Sequence, residues 1–319
     1  MKVPRPFPRP IHALLLLLLA AGSLAYADPI YRFSFIIYDT AGNPFWKPLV
    51  NGANETAKML GVQVDIQYAD NKPDKQNDLI ETAITKKVDG IVLALNVPDA
   101  YNKNVDGATK AGIPVVAMNV DDPHGADGSS RMGFMGQDFK VAGYLVTKRL
   151  IKAYNISQGD RVVCPVEHLE ATYAKDRFAG VKQALDEVGA RGEVLDTGAI
   201  SLEDTLNKLT QYLLGHRDTK AILAMGGMPM SVSPKAIADS GLTIPCAGFD
   251  LTKQIVQDII DGKILAAVDQ QPFYQGAFPI FQLYFYKRYG LLPCDVNTGG
   301  AIIDKSNAEL ALKLSGTYR

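Results

Sequence analysis

From residue 31 onward the chain alternates short apolar runs rich in Val, Ile and Ala with longer stretches whose apolar residues recur every three or four positions. The runs "YRFSFIIY" (31–38), "VQVDIQYA" (62–69), "GIVLALN" (90–96), "PVVAMN" (114–119) and "RMGFMGQ" (131–137) predict five strands. A second series, "RVVCPV" (161–166), "GEVLDTG" (192–198), "AILAMG" (221–226), "TIPCAGFD" (243–250) and "ILAAVDQ" (264–270), predicts five more. Between most of them lie amphipathic segments such as "DKQNDLIETAITKK" (74–87), where Leu79, Ile80, Ala83 and Ile84 share one face. Strands that are apolar throughout and alternate with helices imply parallel sheets covered on both sides. Each series is complete in itself, and a helix beginning near Asp138 reads as the connection between them. The expected fold class is therefore α/β, with two similar doubly wound parallel-sheet lobes and a ligand cleft between them.

The first 27 residues do not follow this pattern. Lys2, Arg5 and Arg9 precede the apolar run "ALLLLLLAAGSLA", and "AYA" (25–27) before Asp28 fits a small-x-small cleavage rule. Together they predict a secretory signal peptide over 1–27. The apolar run is shorter than the ~20 residues a bilayer-spanning helix needs, and no Cys follows it to carry a lipid. The mature chain is expected in the periplasm without inserting in the membrane. Lys plus Arg (33) nearly cancels Asp plus Glu (34), so no basic field exists to attract nucleic acid. Cys164, Cys246 and Cys294 allow at most one internal disulfide, and the apolar surroundings of Cys164 and Cys246 favour buried thiols. Their spacing fits no metal motif.

In open α/β sheets, ligands bind outside the carboxyl ends of the strands. Side-chain amides and carboxylates recur at those ends here. The first strand runs into Tyr38, Asp39 and "NPFW" (43–46); the third ends at Asn96; the fourth ends at Asn119, with Asp121 beyond. In the second series Asp250 closes one strand, and Asp269, Gln270 and Gln271 close another. Each of these has a local alternative as a cap or turn residue. For Phe45 and Trp46 the alternatives are a hydrophobic staple under the helix they start and a stacking platform for an apolar ligand face.

The order and spacing of "NPFW", "GIVLALNVPDA" (90–100), "AGIPVVAMN" (111–119), "KDRFAGVKQAL" (175–185), "CAGFD" (246–250) and "GKILAAVDQQPFYQG" (262–276) resemble the periplasmic sugar-binding proteins of the ribose-binding type. That family shares its fold with the ligand-binding part of lac-repressor-like regulators, and the resemblance runs from about Tyr31 to the C-terminus. It implies that Phe45 and Trp46 flank a sugar ring, and that Asn43 and Asn96 are polar contacts. It also implies that Arg177 holds sugar hydroxyls and that Asp250 and Gln270 complete the second wall. With it go a three-crossover hinge and lobes comprising 28–137 plus 271–294 and 138–270 plus 295–319. The chain departs from the pentose binders at two places. Asn119-Val120 stands where they carry Asp-Arg, and Gly226-Gly227 stands where they carry an Asn-Asp pair. Asp121 or Asp122 is the candidate to replace the first loss; Glu167 or Tyr173 is the candidate to fill part of the second. Ribose itself is therefore disfavoured, within a wider class of sugars and polyols.

The functional expectation is a solute receptor for an ATP-driven (ABC) importer that closes on a sugar, polyol or similar small polar molecule and presents the closed form to a membrane permease. The alternative is a periplasmic partner of a chemoreceptor or sensor kinase. No nucleophile elbow, phosphate loop or paired metal-ligand motif accompanies the histidines, so neither enzymatic activity nor any cofactor or metal is expected. "GGMPM" (226–230) lacks the glycine spacing of a dinucleotide fingerprint.

Overall fold

The computed structural model describes residues 1, 30–43, 45–198 and 200–319, so apart from Met1 the predicted signal peptide lies outside the described residues. The strands of the first series are β1 (Arg32–Ile37), β2 (Gln63–Tyr68), β3 (Gly90–Leu93), β4 (Val115–Asn119) and β5 (Gly133–Gly136). The second series is β6 (Arg161–Val166), β7 (Arg191–Asp196), β8 (Thr219–Ala224), β9 (Cys246–Phe249) and β10 (Ala266–Asp269). Two short strands escaped the sequence reading, β11 (Val296–Asn297) and β12 (Ala301–Asp304).

The first sheet runs β2-β1-β3-β4-β5-β11 and the second β7-β6-β8-β9-β10-β12. All pairings are parallel except β10 with β12. Both lobes therefore have the doubly wound order whose switch point lies between the first and third strands. The pairing of β11 with β5 puts Val296 and Asn297 in the first sheet, so the last crossover falls at 298–300 and not at 294. A strand of two residues carries too little periodicity to be seen in sequence.

Helices α1 (Trp46–Leu60), α2 (Pro73–Thr85) and α3 (Asn102–Lys110) cover the first sheet. Then α4 (Phe139–Tyr154), α5 (Thr172–Asp186), α6 (Leu202–Gly215), α7 (Gly227–Ser240) and α8 (Lys253–Ile260) cover the second. The chain returns through α9 (Pro272–Tyr289), which packs on α1, and ends with α10 (Ala308–Leu314) on the second lobe. The alternation of side chains along a strand divides each core in two. Phe33, Phe35 and Ile37 of β1 face Leu49, Ala53, Ile280 and Leu283, whereas Ile36 faces Ile80, Val105 and Leu93. In the second lobe Val162, Cys164 and Val166 face α4 and α5, and Val163 faces Leu209, Leu213 and Met230.

Each lobe brings two helices together through glycines. A Cβ on Gly276 would stand 1.8 Å from the Leu49 carbonyl oxygen, and one on Gly52 would stand 2.1 Å from that of Phe273. In the second lobe Gly180 and Gly143 meet the carbonyl oxygens of Lys140 and Arg177 at 1.9 and 2.2 Å in the same way. No side chain fits at such contacts, so these glycines fix how closely α1 meets α9 and α4 meets α5. Arg177 is thereby held at the crossing of α5 with α4.

Candidate ligand-binding site

The carboxyl ends of both sheets open on one cavity of about 650 Å³. From the first lobe it is lined by Tyr38, Asp39, Asn43, Phe45, Trp46, Asn71, Asn96 and Asn119; from the second by Phe139, Glu167, His168, Tyr173, Arg177, Asp250 and Gln270, among others. Eight of the nine sequence-predicted site residues line it; Asp121 does not. Asp121 accepts from Arg131 Nε at 2.8 Å, and Arg131 also pairs with Asp295. Asp121 and Asp295 border an adjoining cavity of about 390 Å³, which shares Val120, Phe139 and Thr172 with the first. A buried guanidinium demands a carboxylate partner more strongly than an open cleft does, and this sets the side chain's direction. Asp122 is likewise turned away, accepting from the His124 amide at 2.8 Å.

The first wall is organised around Asp39. Its Oδ2 accepts from Asn43 Nδ2 at 2.6 Å and Trp46 Nε1 at 3.0 Å, while Oδ1 accepts from Asn71 Nδ2 at 2.9 Å and from the Thr40 amide. Burial acts to raise this carboxyl, but the bonds from Trp46, Thr40, Asn71 and Asn43 outweigh it and hold it below the usual carboxylate range. Asn43 Oδ1 in turn accepts from the Phe45 amide at 3.0 Å, so this side chain closes an Asx turn just ahead of α1, the turn role its local alternative foresaw. Trp46 is 2% exposed and packs edge-to-face on Tyr38 and Phe45. Most of its ring belongs to the core, which is the staple reading, and only an edge reaches the cavity. Phe45 and Tyr38 are partly buried and offer the apolar surface. Burial, with Asp39 nearby, pushes the Tyr38 hydroxyl up to about 12, so it stays a neutral donor.

Asn96 accepts from Tyr101 Oη at 3.0 Å through its Oδ1, which leaves its amide group for the cleft. Asn119 sits at φ 64°, a left-handed conformation that Asn tolerates, and donates to Gln275 Oε1 at 2.9 Å. Gln275 donates to the Gln270 carbonyl at 3.0 Å and to Thr298 Oγ1 at 3.1 Å. Asn119 thus tethers the end of β4 to two of the crossovers between lobes.

The second wall is built on Arg177, 2% exposed. Its Nε and Nη2 donate to Gln137 Oε1 at 3.2 and 2.9 Å, and Nη1 donates to the Met225 carbonyl at 2.7 Å. The guanidinium lies 4.1 Å from the ring centre of Phe249, with Tyr173 and Phe139 at 5.0 and 5.4 Å. Asp250, at φ 69°, lies 3.6 Å from Nη2 and accepts from Gln270 Nε2 at 2.6 Å. Arg177 and Gln137 connect the second lobe to the crossover after β5, a role the sequence did not disclose.

Glu167 reaches the space beside Gly226, whereas the space beside Gly227 is bordered by Asp250; Tyr173 lines the cavity but is not placed against either glycine. Phe139 and Asn71 were not foreseen: one opens a helix and the other sits in a turn, and neither position differs in sequence from an ordinary cap. His168 is exposed at the cavity's edge. All three cysteines are free, with Cys164 and Cys246 buried and Cys294 exposed, and burial pushes the Cys246 thiol up to about 12. Among the described residues no helix is long and apolar enough to cross a membrane, and no cluster of His, Cys, Asp or Glu is arranged to hold a metal ion. The chemistry available is hydrogen bonding to a polar guest and packing against its C–H faces.

A family model described as a periplasmic binding protein domain matches residues 33–288. The chain is 27% identical over 300 residues to the xylose/arabinose-binding protein of Sulfolobus acidocaldarius, covering 88% of this chain and 73% of that one. It is 26% identical over 235 residues to the ribose import binding protein of Bacillus subtilis, covering 73% and 74%. Among solved structures, a carbohydrate transporter from Acidothermus cellulolyticus in complex with myo-inositol matches with a TM-score of 0.78 at 25% identity, covering 90% of this chain and 99% of that chain.

Proposed function

The chain belongs to the periplasmic binding protein domain family, a family of binding proteins and not of enzymes, and from that premise we propose that it is the solute receptor of an ABC importer for a sugar or polyol. The observation that carries this reading is the shared cavity, whose lining draws Phe45 and Asn96 from one lobe and Arg177, Asp250 and Gln270 from the other. A guest that touches both walls favours the closed arrangement over the open one, and hinge closure is the established response of such receptors. In this reading the lobes turn about the crossovers near 137–139, 270–272 and 298–300, and a permease recognises the closed form. The periplasmic location is the one the family implies, and the signal peptide expected over 1–27 accords with it.

The ligand contacts proposed are Asn96, Arg177, Asp250 and Gln270 for hydroxyls and Phe45 for a C–H face, with Asn43, Trp46 and Asn119 holding the wall and hinge behind them. The ligands for which the relatives are named, xylose or arabinose, ribose and myo-inositol, support a pentose, hexose or cyclic polyol. A thermal-shift screen of the mature protein tests this with D-xylose, L-arabinose, D-ribose, D-allose, D-apiose and myo-inositol. A sugar present at ~100 times its Kd stabilises the fold by about 2.7 kcal/mol. At least one of the six is expected to raise the Tm by several degrees; no shift with any of them refutes the reading.

A further inference from the structure

Glu167 follows β6 directly and lines the cavity. Its Oε2 is buried without a hydrogen-bond partner. A Cβ on Gly226 would stand 2.0 Å from Oε2 and 2.3 Å from Oε1, so this carboxyl occupies the room that a side chain at 226 would take. Its charged neighbours in the same wall are engaged elsewhere: Arg177 with Gln137 and the Met225 carbonyl, Asp250 with Gln270. A buried acceptor without a donor is costly and uncommon in native proteins, and where one persists it needs an explanation.

We propose that Glu167 is a specificity-determining ligand contact, its carboxyl seated on Gly226 and accepting a hydrogen bond from a hydroxyl of the bound sugar or polyol. The glycine and the glutamate then act as a pair. Gly226 clears the space, and Glu167 fills it from the neighbouring strand end with an acceptor pointed into the cleft. Ligands that place a hydroxyl there satisfy the carboxyl; those that lack one leave it buried and unmatched. The groups facing Glu167 are Asp250, Arg177, His168 and Tyr173. Burial, reinforced by the charge of Asp250, pushes its carboxyl above the usual range, while Arg177 and His168 act the other way. This deepens the sugar-receptor reading of the cleft and rests on it.

The test is calorimetric titration of wild type, Glu167→Gln and Gly226→Ala with the six compounds named above. Gly226→Ala displaces the Glu167 carboxyl without removing it. Glu170→Gln, altering an exposed side chain paired with Lys175 outside the cavity, serves as the control. Both cleft variants are expected to weaken the tightest-binding compound by about tenfold or more and to change the order of preference, with the control within about twofold of wild type. Glu167→Gln is also expected to raise the ligand-free Tm at neutral pH, since it removes an uncompensated charge; a purely structural glutamate would lower it. Unchanged affinity and unchanged order in both cleft variants would overturn the assignment of Glu167 while leaving the receptor reading intact. Silence of wild type towards all six compounds would overturn both.

Discussion

In the first lobe the polar groups at the cleft are bonded mainly to one another. Asp39 gathers Asn43, Trp46, Asn71 and the Thr40 amide, and Asn43 closes on the Phe45 amide. The second lobe has the same strand order and the same glycine-mediated helix crossing, yet its wall carries a buried guanidinium stacked on Phe249 and a glutamate oxygen with no partner. Apart from the Asn96 amide, one wall is complete before a ligand arrives and presents a shaped apolar surface. The other is completed by what binds. Duplicated architecture thus serves a divided task, with shape set on one side and hydrogen-bond selection on the other.

The sharpest way to break this contrast is Arg177→Ala. It deprives Gln137 and the Met225 carbonyl of their donor, and breaking a buried charged network of this kind costs about 3–5 kcal/mol. Urea unfolding is expected to show that loss, and calorimetry a fall in sugar affinity of about a hundredfold or more. Next comes Asp39→Ala, which orphans Trp46 Nε1 and frees two asparagines. A cost of about 1–3 kcal/mol is expected in urea unfolding, together with a shift of Trp46 emission. Equal losses of affinity and selectivity from Asp39→Ala and Glu167→Gln would contradict the division of labour between the walls.

The two carboxyls also separate by pH. The folded-state pKa of Asp39 is depressed, so its contribution is present above the unfolded value near 3.9 and is lost as pH falls through the folded value. That of Glu167 is raised above the unfolded value near 4.3, so wild type is at its best relative to Glu167→Gln below that pH and loses ground as pH rises through the folded value. Urea midpoints of wild type and Glu167→Gln at about pH 4 and pH 8 should therefore diverge only at the higher pH. The smallest effect is expected from Asp121→Asn, whose side chain serves Arg131 and not the cleft. Its sugar affinity should stay within about twofold of wild type in the same titration, and a larger loss would return Asp121 to the binding wall.

The fold was legible because β1 to β10 are four to six residues long and, apart from the mixed-polarity edge strands β2 and β7, mainly apolar, with helical periods between them. β11 and β12 were not: one is two residues long, and the other follows the "TGG" turn at 298–300 and adds antiparallel to the edge of its sheet. The positions of the site residues were legible for a topological reason, since strand ends in this architecture face the cleft. Their bonding was not. Nothing in "NPFW" tells that Trp46 turns its indole N–H to Asp39 and its ring to the core, because Asp39 lies across a turn. Asp121 misled because its partner Arg131 lies in the next strand-like run and competes for it more strongly than an open cleft. The pairing of Glu167 with Gly226 joins residues from two different strand ends, and only the three-dimensional register of β6 and β8 brings them together.

Trp46 is the chain's single tryptophan and lies in the first lobe, whereas Arg177 lies in the second. Fluorescence titration of wild type and Arg177→Ala with the best of the six compounds therefore reads whether one ligand engages both. A saturable change in Trp46 emission in wild type, abolished or displaced to far higher concentration in the variant, is the predicted result. A change of equal midpoint in both proteins, or none in wild type, would contradict a guest held between the two lobes.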